Sequence, residues 1–449
     1  MKLLLLSANT TQSPYPVYPL GLDYIAGIMK PRHEVTILDM NVVGGLDGLE
    51  AAVREYGPDV IGLSVRNIDN VDTVATKSFV QGYERIIRVI RSCTKARVVL
   101  GGSGFSIFPG ELMALLDADF GVVGEGEYLG PLLDALETRN AVVDLPGIVC
   151  KGGGVRVPVP WPGGVKRELR PTDAQLRFYL ERGGMLNLQT KRGCPFRCIY
   201  CTYPHIEGHQ LRLNPPDEVA KEARELQEVG ARYLFITDSA FNADYNHSLA
   251  VARAFRRQGL TIPWGAFFAP TRPPEGYYKA LAEAGLTHVE FGTETLCNNQ
   301  LKKYGKPFDR KDLVAAQESA HQAGVHIAHY LLLGGPGEDA QTLEETLNHM
   351  EEMEKAAFFI FCGIRIFPHT RLYTLARKEG QIMPDQDLLT PVFYRSKGIA
   401  TEEIIARIQR RARGRMNWVY GDGGEKAERV VSRLHTHGHP GPLWELLLR

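Results

Sequence analysis

The chain has 449 residues, 44% of them apolar and 23% charged, with 52 basic and 52 acidic side chains. That length accommodates two or three domains with filled cores, and the even charge excludes a global positive field for nucleic acid. No run of about 18 apolar residues occurs, which excludes a hydrophobic helix crossing a membrane.

The opening MKLLLLSANTTQ is too short an apolar run for a secretion signal and reads as a first buried strand. Further strand-like runs are HEVTILD (33–39), DVIGLSV (59–65), ARVVLGG (96–102) and DFGVVGEG (119–126), with a helical pattern over 74–91 among the segments between them. Alternating strands and crossover helices predict a parallel sheet with right-handed connections. The Gly- and Pro-rich KGGGVRVPVPWPGGVK breaks the pattern and marks a linker. A second βα series follows, with strands expected at 185–191, 232–238, 263–269, 287–293, 326–334 and 358–367. The fold class expected is therefore α/β. An N-terminal Rossmann-like, doubly wound parallel sheet (1–145) and a linker (146–184) precede a partial (βα)6 TIM-like barrel (185–383) and a small helical C-terminal cap (384–449).

KRGCPFRCIYCTY places Cys194, Cys198 and Cys201 inside eight residues of a chain with seven cysteines. Structural zinc normally takes four ligands, for which His205 would have to serve as the fourth. A redox C-x2-C pair would leave Cys194 spare. A cubane held by three thiolates would keep one iron open. The position decides among these, because the loop leaves the first barrel strand at the end where a βα barrel builds its site. Gly193 and Pro195 permit a tight wrap, and Arg192 and Arg197 are expected as cations beside the thiolates. The other four cysteines are scattered, so a disulfide framework is not expected, and the protein reads as cytoplasmic with reduced thiols.

The C-x3-C-x2-C spacing with an aromatic before its third cysteine resembles the radical S-adenosylmethionine (SAM) superfamily. TDSAFN (237–242), FGTETLCNNQLKKYGKPF (291–308), LLGGPGED (332–339) and RIFPHTRLYTLARKEG (365–380) resemble its later motifs, over about 185–380 in all. The resemblance implies a 4Fe-4S cluster on the three cysteines. It implies SAM contacts at Tyr200, Asp238, Ser239, Glu294, Ile366 and Phe367, and an external flavodoxin- or ferredoxin-like electron donor.

No G-x-G-x-x-G follows the first strand, which disfavours a nicotinamide cofactor. The region 1–140 instead resembles the cobalamin-binding domain that precedes the barrel in one radical SAM class. Strand ends SANTTQ, SVRNIDN, LGGSG and GEGE then imply cobalamin contacts at Ser7, Asn9, Thr10, Ser64, Arg66, Asn67, Gly101, Gly102, Ser103, Gly104, Gly124, Glu125 and Gly126. D-x-H-x-x-G is missing and His33 is the sole histidine before 150, so no histidine ligand to cobalt is expected from this domain. Arg66, which has no lone pair to donate, is placed by analogy at the lower face of cobalt, the plainer reading being an ion pair with Asp69.

Together these implications describe a cobalamin-dependent radical SAM methyltransferase acting on an unactivated carbon (or phosphorus) of a small molecule. The alternative keeps both cofactors for a ring contraction, cyclisation or other rearrangement. A tRNA methylthiotransferase would need a basic tail and more cysteines in the first domain, and a non-catalytic cobalamin or metal regulator would not need the barrel motifs. Substrate candidates are Tyr203, His205, His329 and Tyr330. The alternating His435, His437 and His439 suggest a metal site less than a solvated loop.

Overall fold

The structure, a computed structural model, describes all residues except 13–14, 139–141, 143, 165–166, 168–173, 422 and 449, and not the side chains of 425 and 426. Its first sheet contains β1 (Lys2–Ser7), β2 (Glu34–Asp39), β3 (Val60–Ser64), β4 (Arg97–Gly101), β5 (Phe120–Val122) and β6 (Ile148–Cys150), in the order β2-β1-β3-β4-β5-β6. Four leucines in a row suit β1 because both of its faces are covered. Leu4 and Leu6 enter one core, Leu3 and Leu5 the other. The strand order turns back between β1 and β3, and ligands of such sheets bind outside the carboxyl ends at that point. β6 runs antiparallel to β5, Phe120 facing Cys150. The sheet thus reaches into the segment expected to be linker, where a short apolar IVC completes the edge. The helix expected over 74–91 begins only at Val80 and ends at Cys93.

The second sheet is built from β7 (Met185–Leu188), then, beyond a small hairpin of β8 (Lys191–Arg192) and β9 (Arg212–Leu213), β10 (Tyr233–Ile236), β11 (Trp264–Phe268), β12 (Leu286–Glu294), β13 (His326–Leu333) and β14 (Ala356–Cys362). A second small pair, β15 (Ile364–Arg365) and β16 (Phe393–Tyr394), precedes β17 (Trp418–Tyr420). The sheet order is β17-β14-β13-β12-β11-β10-β7, all parallel. The C-terminal region is therefore more than a helical cap, since β17 adds a seventh strand.

Period-2 alternation decides what faces the barrel's interior. Leu186, Leu234, Phe291, Ile327 and Phe358 go outward into the helix-side core. Tyr233 and Phe235 turn inward with Met185, and Ala328 and Ala357 leave a gap at the bottom that Trp444 fills. Tyr15, from the loop after β1, also packs on the inward Met185 group.

Buried polar bridges fasten the two domains. Arg167 donates to Asp23 of the first domain at 3.0 Å, to Glu222 of the second at 3.1 Å and to the Asn187 carbonyl at 2.7 Å. Arg365 pairs with Asp69 at 2.9 Å, both about 1% exposed. Tyr179 donates to Asp39 at 2.7 Å. No helix among the described residues is long and apolar enough to cross a membrane.

Candidate functional site

The cysteine loop is closed at its base by the β8–β9 hairpin, with Lys191 opposite Leu213 and Arg192 opposite Arg212. Gly193 sits at φ +84°, where a Cβ would stand 2.1 Å from the Gln210 carbonyl, so the turn requires glycine. Its N–H donates to Glu207 at 3.0 Å, and the Cys194 N–H donates to the Gly208 carbonyl at 3.0 Å. Ile199 is hydrogen-bonded to Tyr304 and Leu372, which ties the middle of the loop to the barrel rim.

Cys194 is buried, and Cys198 and Cys201 are half-buried. Burial pushes both of the latter thiols up, Cys201 to about 12, and the neighbouring cysteines add to the rise. Such thiols give up their protons on ligating iron rather than to water. A cubane asks each thiolate to take a different iron, so the sulfurs need not converge on one point. Among the described residues no group of three or more His, Cys, Asp or Glu is arranged to hold a metal ion. All seven cysteines are free thiols.

The cation beside these thiols is Lys306. Its charge opposes the rise at Cys198 and Cys201. Arg192 turns away to the first domain and pairs with Glu127 at 2.6 Å and Glu125 at 3.1 Å, and Arg197 is exposed. The expectation of Arg192 beside the thiolates is corrected on this point, because buried carboxylates outcompete a half-buried thiol for it. Lys306 also pairs with Glu294 at 2.6 Å, and both contact the Tyr200 hydroxyl. Glu294 reaches that position through a register shift in β12 and a left-handed φ of +61°, a strained conformation for a glutamate. Tyr200 and Glu294 are thus brought together at the cysteine loop, with Glu294 and Lys306 forming a pair of opposite charges there.

The other SAM candidates divide. The Ser239 hydroxyl donates to the Gly193 carbonyl at 3.3 Å, at the loop itself. Asp238 is 1% exposed, and its oxygens accept from the Thr190 N–H at 2.8 Å and the Thr190 hydroxyl at 2.5 Å. It braces the strand end, with the Lys191 ammonium 3.9 Å away, rather than presenting a free carboxylate. Ile366 is fully buried, its N–H donating to the Val392 carbonyl and its carbonyl accepting from the Arg365 guanidinium. The Phe367 carbonyl accepts from Thr370, and its ring lies beside the Arg365 guanidinium. The Ile366 N–H and the carbonyls of Ile366 and Phe367, expected to flank adenine, are thus already partnered.

Between the cysteine loop and the carboxyl ends of the first sheet lies a cavity. Its first-domain wall contains Ser7, Asn9, Ser64, Arg66, Gly101, Gly102, Ser103, Gly124, Glu125 and Gly126, as expected from the strand ends. Thr10, Asn67 and Gly104 are not in that wall. Gly104 instead packs where a Cβ would meet the Val65 and Arg66 carbonyls at 3.0 Å, and the Asn67 carbonyl accepts from Tyr83. The opposite wall is the barrel's, with Asn187, Gln189, Arg192, Tyr203, Glu207 and Thr237. Alternation along MLNLQTK puts Asn187 and Gln189 on one face, a signal already present in the sequence.

The cavity also runs down past Leu5, Gly62, Val99, Val122 and Leu129, an apolar slot along the sheet. A Cβ on Gly62 would come within 2.9 Å of Leu5 and fill it. Polar glycine-edged rims above an apolar slot suit a corrin with a nucleotide tail. Arg66 is exposed to this cavity yet surrounded by protein, and burial lowers its pKa. Among the described residues no carboxylate pairs with it, because Asp69 is taken by Arg365. The ion pair expected between Arg66 and Asp69 is therefore absent.

The substrate candidates separate as well. Tyr203 lines the cavity, and His205 stacks on His369 at 4.2 Å. His329 is fully buried between Phe291 and Phe358, bonded to Thr293 at 2.7 Å and Gln317 at 2.8 Å, and burial lowers its pKa to about 3. It faces the helices and is withdrawn as a substrate residue, since neighbours in a strand cannot share a face. Tyr330 faces inward, beside Phe267 and Phe359. In the tail, His435 is bonded to the Gly441 carbonyl and His437 to the Arg433 carbonyl, so both have backbone partners.

Residues 188–350 match the model of the Radical SAM superfamily, and residues 6–133 match that of the B12 binding domain. Tryptophan 2-C-methyltransferase of Streptomyces laurentii is 26% identical over 439 residues, spanning 81% of this chain and 73% of that protein. Cytidylyl-2-hydroxyethylphosphonate methyltransferase of Streptomyces wedmorensis is 25% identical, spanning 85% of each. The structure of radical S-adenosylmethionine methyltransferase TsrM from Kitasatospora setae, solved with cobalamin and a 4Fe-4S cluster, superposes with a TM-score of 0.89. It is 21% identical and covers 100% of this chain and 97% of that one.

Proposed function

On the premise that this chain belongs to the cobalamin-dependent radical SAM enzymes, a B12 binding domain joined to a radical SAM domain, we propose that it methylates an unactivated carbon or phosphorus of a small molecule. The single observation that carries the reading is the shared cavity, with Arg66 and the glycine strand ends on one wall and the cysteine-loop residues Tyr203 and Glu207 on the other. Two relatives named as methyltransferases for small molecules support it.

When bound, the cluster, SAM and cobalamin supply one-electron chemistry and the methyl group. The chain's own work is position and exclusion of water. Cys194, Cys198 and Cys201 would hold three irons. The Glu294–Lys306 pair would separate to receive the ammonium and carboxylate of SAM, with Tyr200 fixing the carboxylate of Glu294. Gly101, Gly102 and Gly124 would let the corrin tail approach the backbone, and Arg66, which has no lone pair to donate, would face the corrin as a cation. The electron comes from an external flavodoxin- or ferredoxin-like donor, the substrate is not a nucleic acid, and the protein works in the cytoplasm.

The test uses protein made in cells supplied with cobalamin, its cluster restored anaerobically with iron and sulfide, and methyl-labelled SAM. A product heavier than its substrate by one CH2, carrying the label, is expected. A product of unchanged mass would replace methyl transfer by rearrangement.

A further inference from the structure

Phe267 sits mid-strand in β11, in the interior of the second sheet, yet its side chain is 40% exposed. Its neighbours Ala266 and Phe268 are buried among the helix-side core, so that exposed surface faces the barrel lumen. A large aromatic exposed there marks unfilled apolar space inside the barrel. Tyr330, Phe235 and Phe359 supply further aromatic wall.

One charged group lies in this wall. Glu290 is paired across the sheet with Phe267 on one side and Ala328 on the other, and it is 2% exposed. Its carboxyl accepts from the Trp444 indole N–H at 3.0 Å and bonds the Tyr330 hydroxyl. Among the described residues no cation pairs with it. A carboxyl enclosed with only neutral donors is costly to keep unless a ligand brings the opposite charge. Its surroundings come from three parts of the chain. Tyr15, from the loop after β1, packs on Met185, Tyr233 and Phe235 in the lumen, while Asn9 and Val17 of the same loop line the cavity, so one segment borders both spaces.

We propose that the lumen between Phe267 and Glu290 is the substrate pocket, and that it takes a compound with a protonated nitrogen on a flat apolar body. The ammonium would meet the Glu290 carboxylate and the faces of Tyr15 and Tyr330, an arrangement that favours cations over isosteric neutral groups. The assignment rests on the methyltransferase reading for what happens next, but not for binding.

The experiment measures equilibrium binding of three probes to the reconstituted holoenzyme without turnover: 2-phenylethylamine, 2-phenylethanol and 3-phenylpropionate. The amine should bind roughly tenfold more tightly than the alcohol, and the acid should bind most weakly. Glu290→Gln, whose amide oxygen can still accept from Trp444, should bring amine and alcohol within about twofold of each other. Phe267→Trp should weaken amine and alcohol alike by filling the space. Equal binding of the three probes, no binding of any, or an amine preference that survives in Glu290→Gln would overturn the assignment. So would unchanged binding in Phe267→Trp. A normal amine preference with a product of unchanged mass would leave the pocket standing and remove methyl transfer alone.

Discussion

Replacing Glu290 by glutamine should change how stability depends on pH. Burial pushes this carboxyl up from 4.5 to about 7, with the hydrogen bonds from Trp444 and Tyr330 pulling the other way. Between those two values the folded chain holds a proton that the unfolded chain has released, so stability falls as pH rises through the window. At 1.36 kcal/mol per pH unit, the full interval from 4.5 to about 7 corresponds to about 3 kcal/mol. Glutamine does not titrate and keeps an acceptor for Trp444. The variant should therefore match the wild type near the bottom of the window and exceed it by about 3 kcal/mol above the top. Urea midpoints followed by circular dichroism at several pH values would show the two curves diverging with rising pH. Other carboxyls titrate in both proteins and cancel in the difference. Curves that run parallel, or that diverge toward acid, would refute the placement of an uncompensated carboxyl in the lumen.

Arg365→Met should destabilise the chain by about 3–5 kcal/mol, because Asp69 stays behind as a buried charge, and adding Asp69→Leu should restore much of the loss in urea unfolding. Alanine at Cys194, Cys198 or Cys201 should abolish retained iron and sulfide and the formation of 5′-deoxyadenosine, while cobalamin is still bound. Iron content unchanged from wild type would remove that residue from the cluster. Arg66→His supplies a lone pair at the cavity wall and should shift the absorption spectrum of bound cobalamin, with roughly tenfold or greater loss of product formation. An unchanged spectrum together with unchanged turnover in Arg66→Ala would remove Arg66 from the lower face of cobalt.

The cysteine loop was legible because its information is local: three cysteines, a required glycine and an aromatic lie within nine residues. The strand ends of the first sheet were legible for a similar reason, since doubly wound sheets bind ligands at one edge and small residues mark it. What escaped was long-range. Arg365 and Asp69 are 296 positions apart, and Arg167 and Asp23 are 144 apart, and no periodicity announces such pairs. Arg66 was offered Asp69 as its neighbour in sequence, but folding gave Asp69 to another chain segment. The choice between His329 and Tyr330 failed because HIAHYLLL is apolar on both faces, so its alternation has no polar side to name the lumen. Glu290 was hidden in the same way, as a lone acid in a run read as core.

The salt bridges of Arg167, Arg192 and Arg365 join the two halves of the chain at three separate points, that of Arg192 on the cavity wall itself. A jaw fastened in this manner does not swing wide, so a guest as bulky as a tetrapyrrole would have to be built in while the polypeptide is still closing around it. Supplying the vitamin to growing cells should load the enzyme far more completely than soaking the purified protein, and once seated the guest should leave only on the timescale of unfolding.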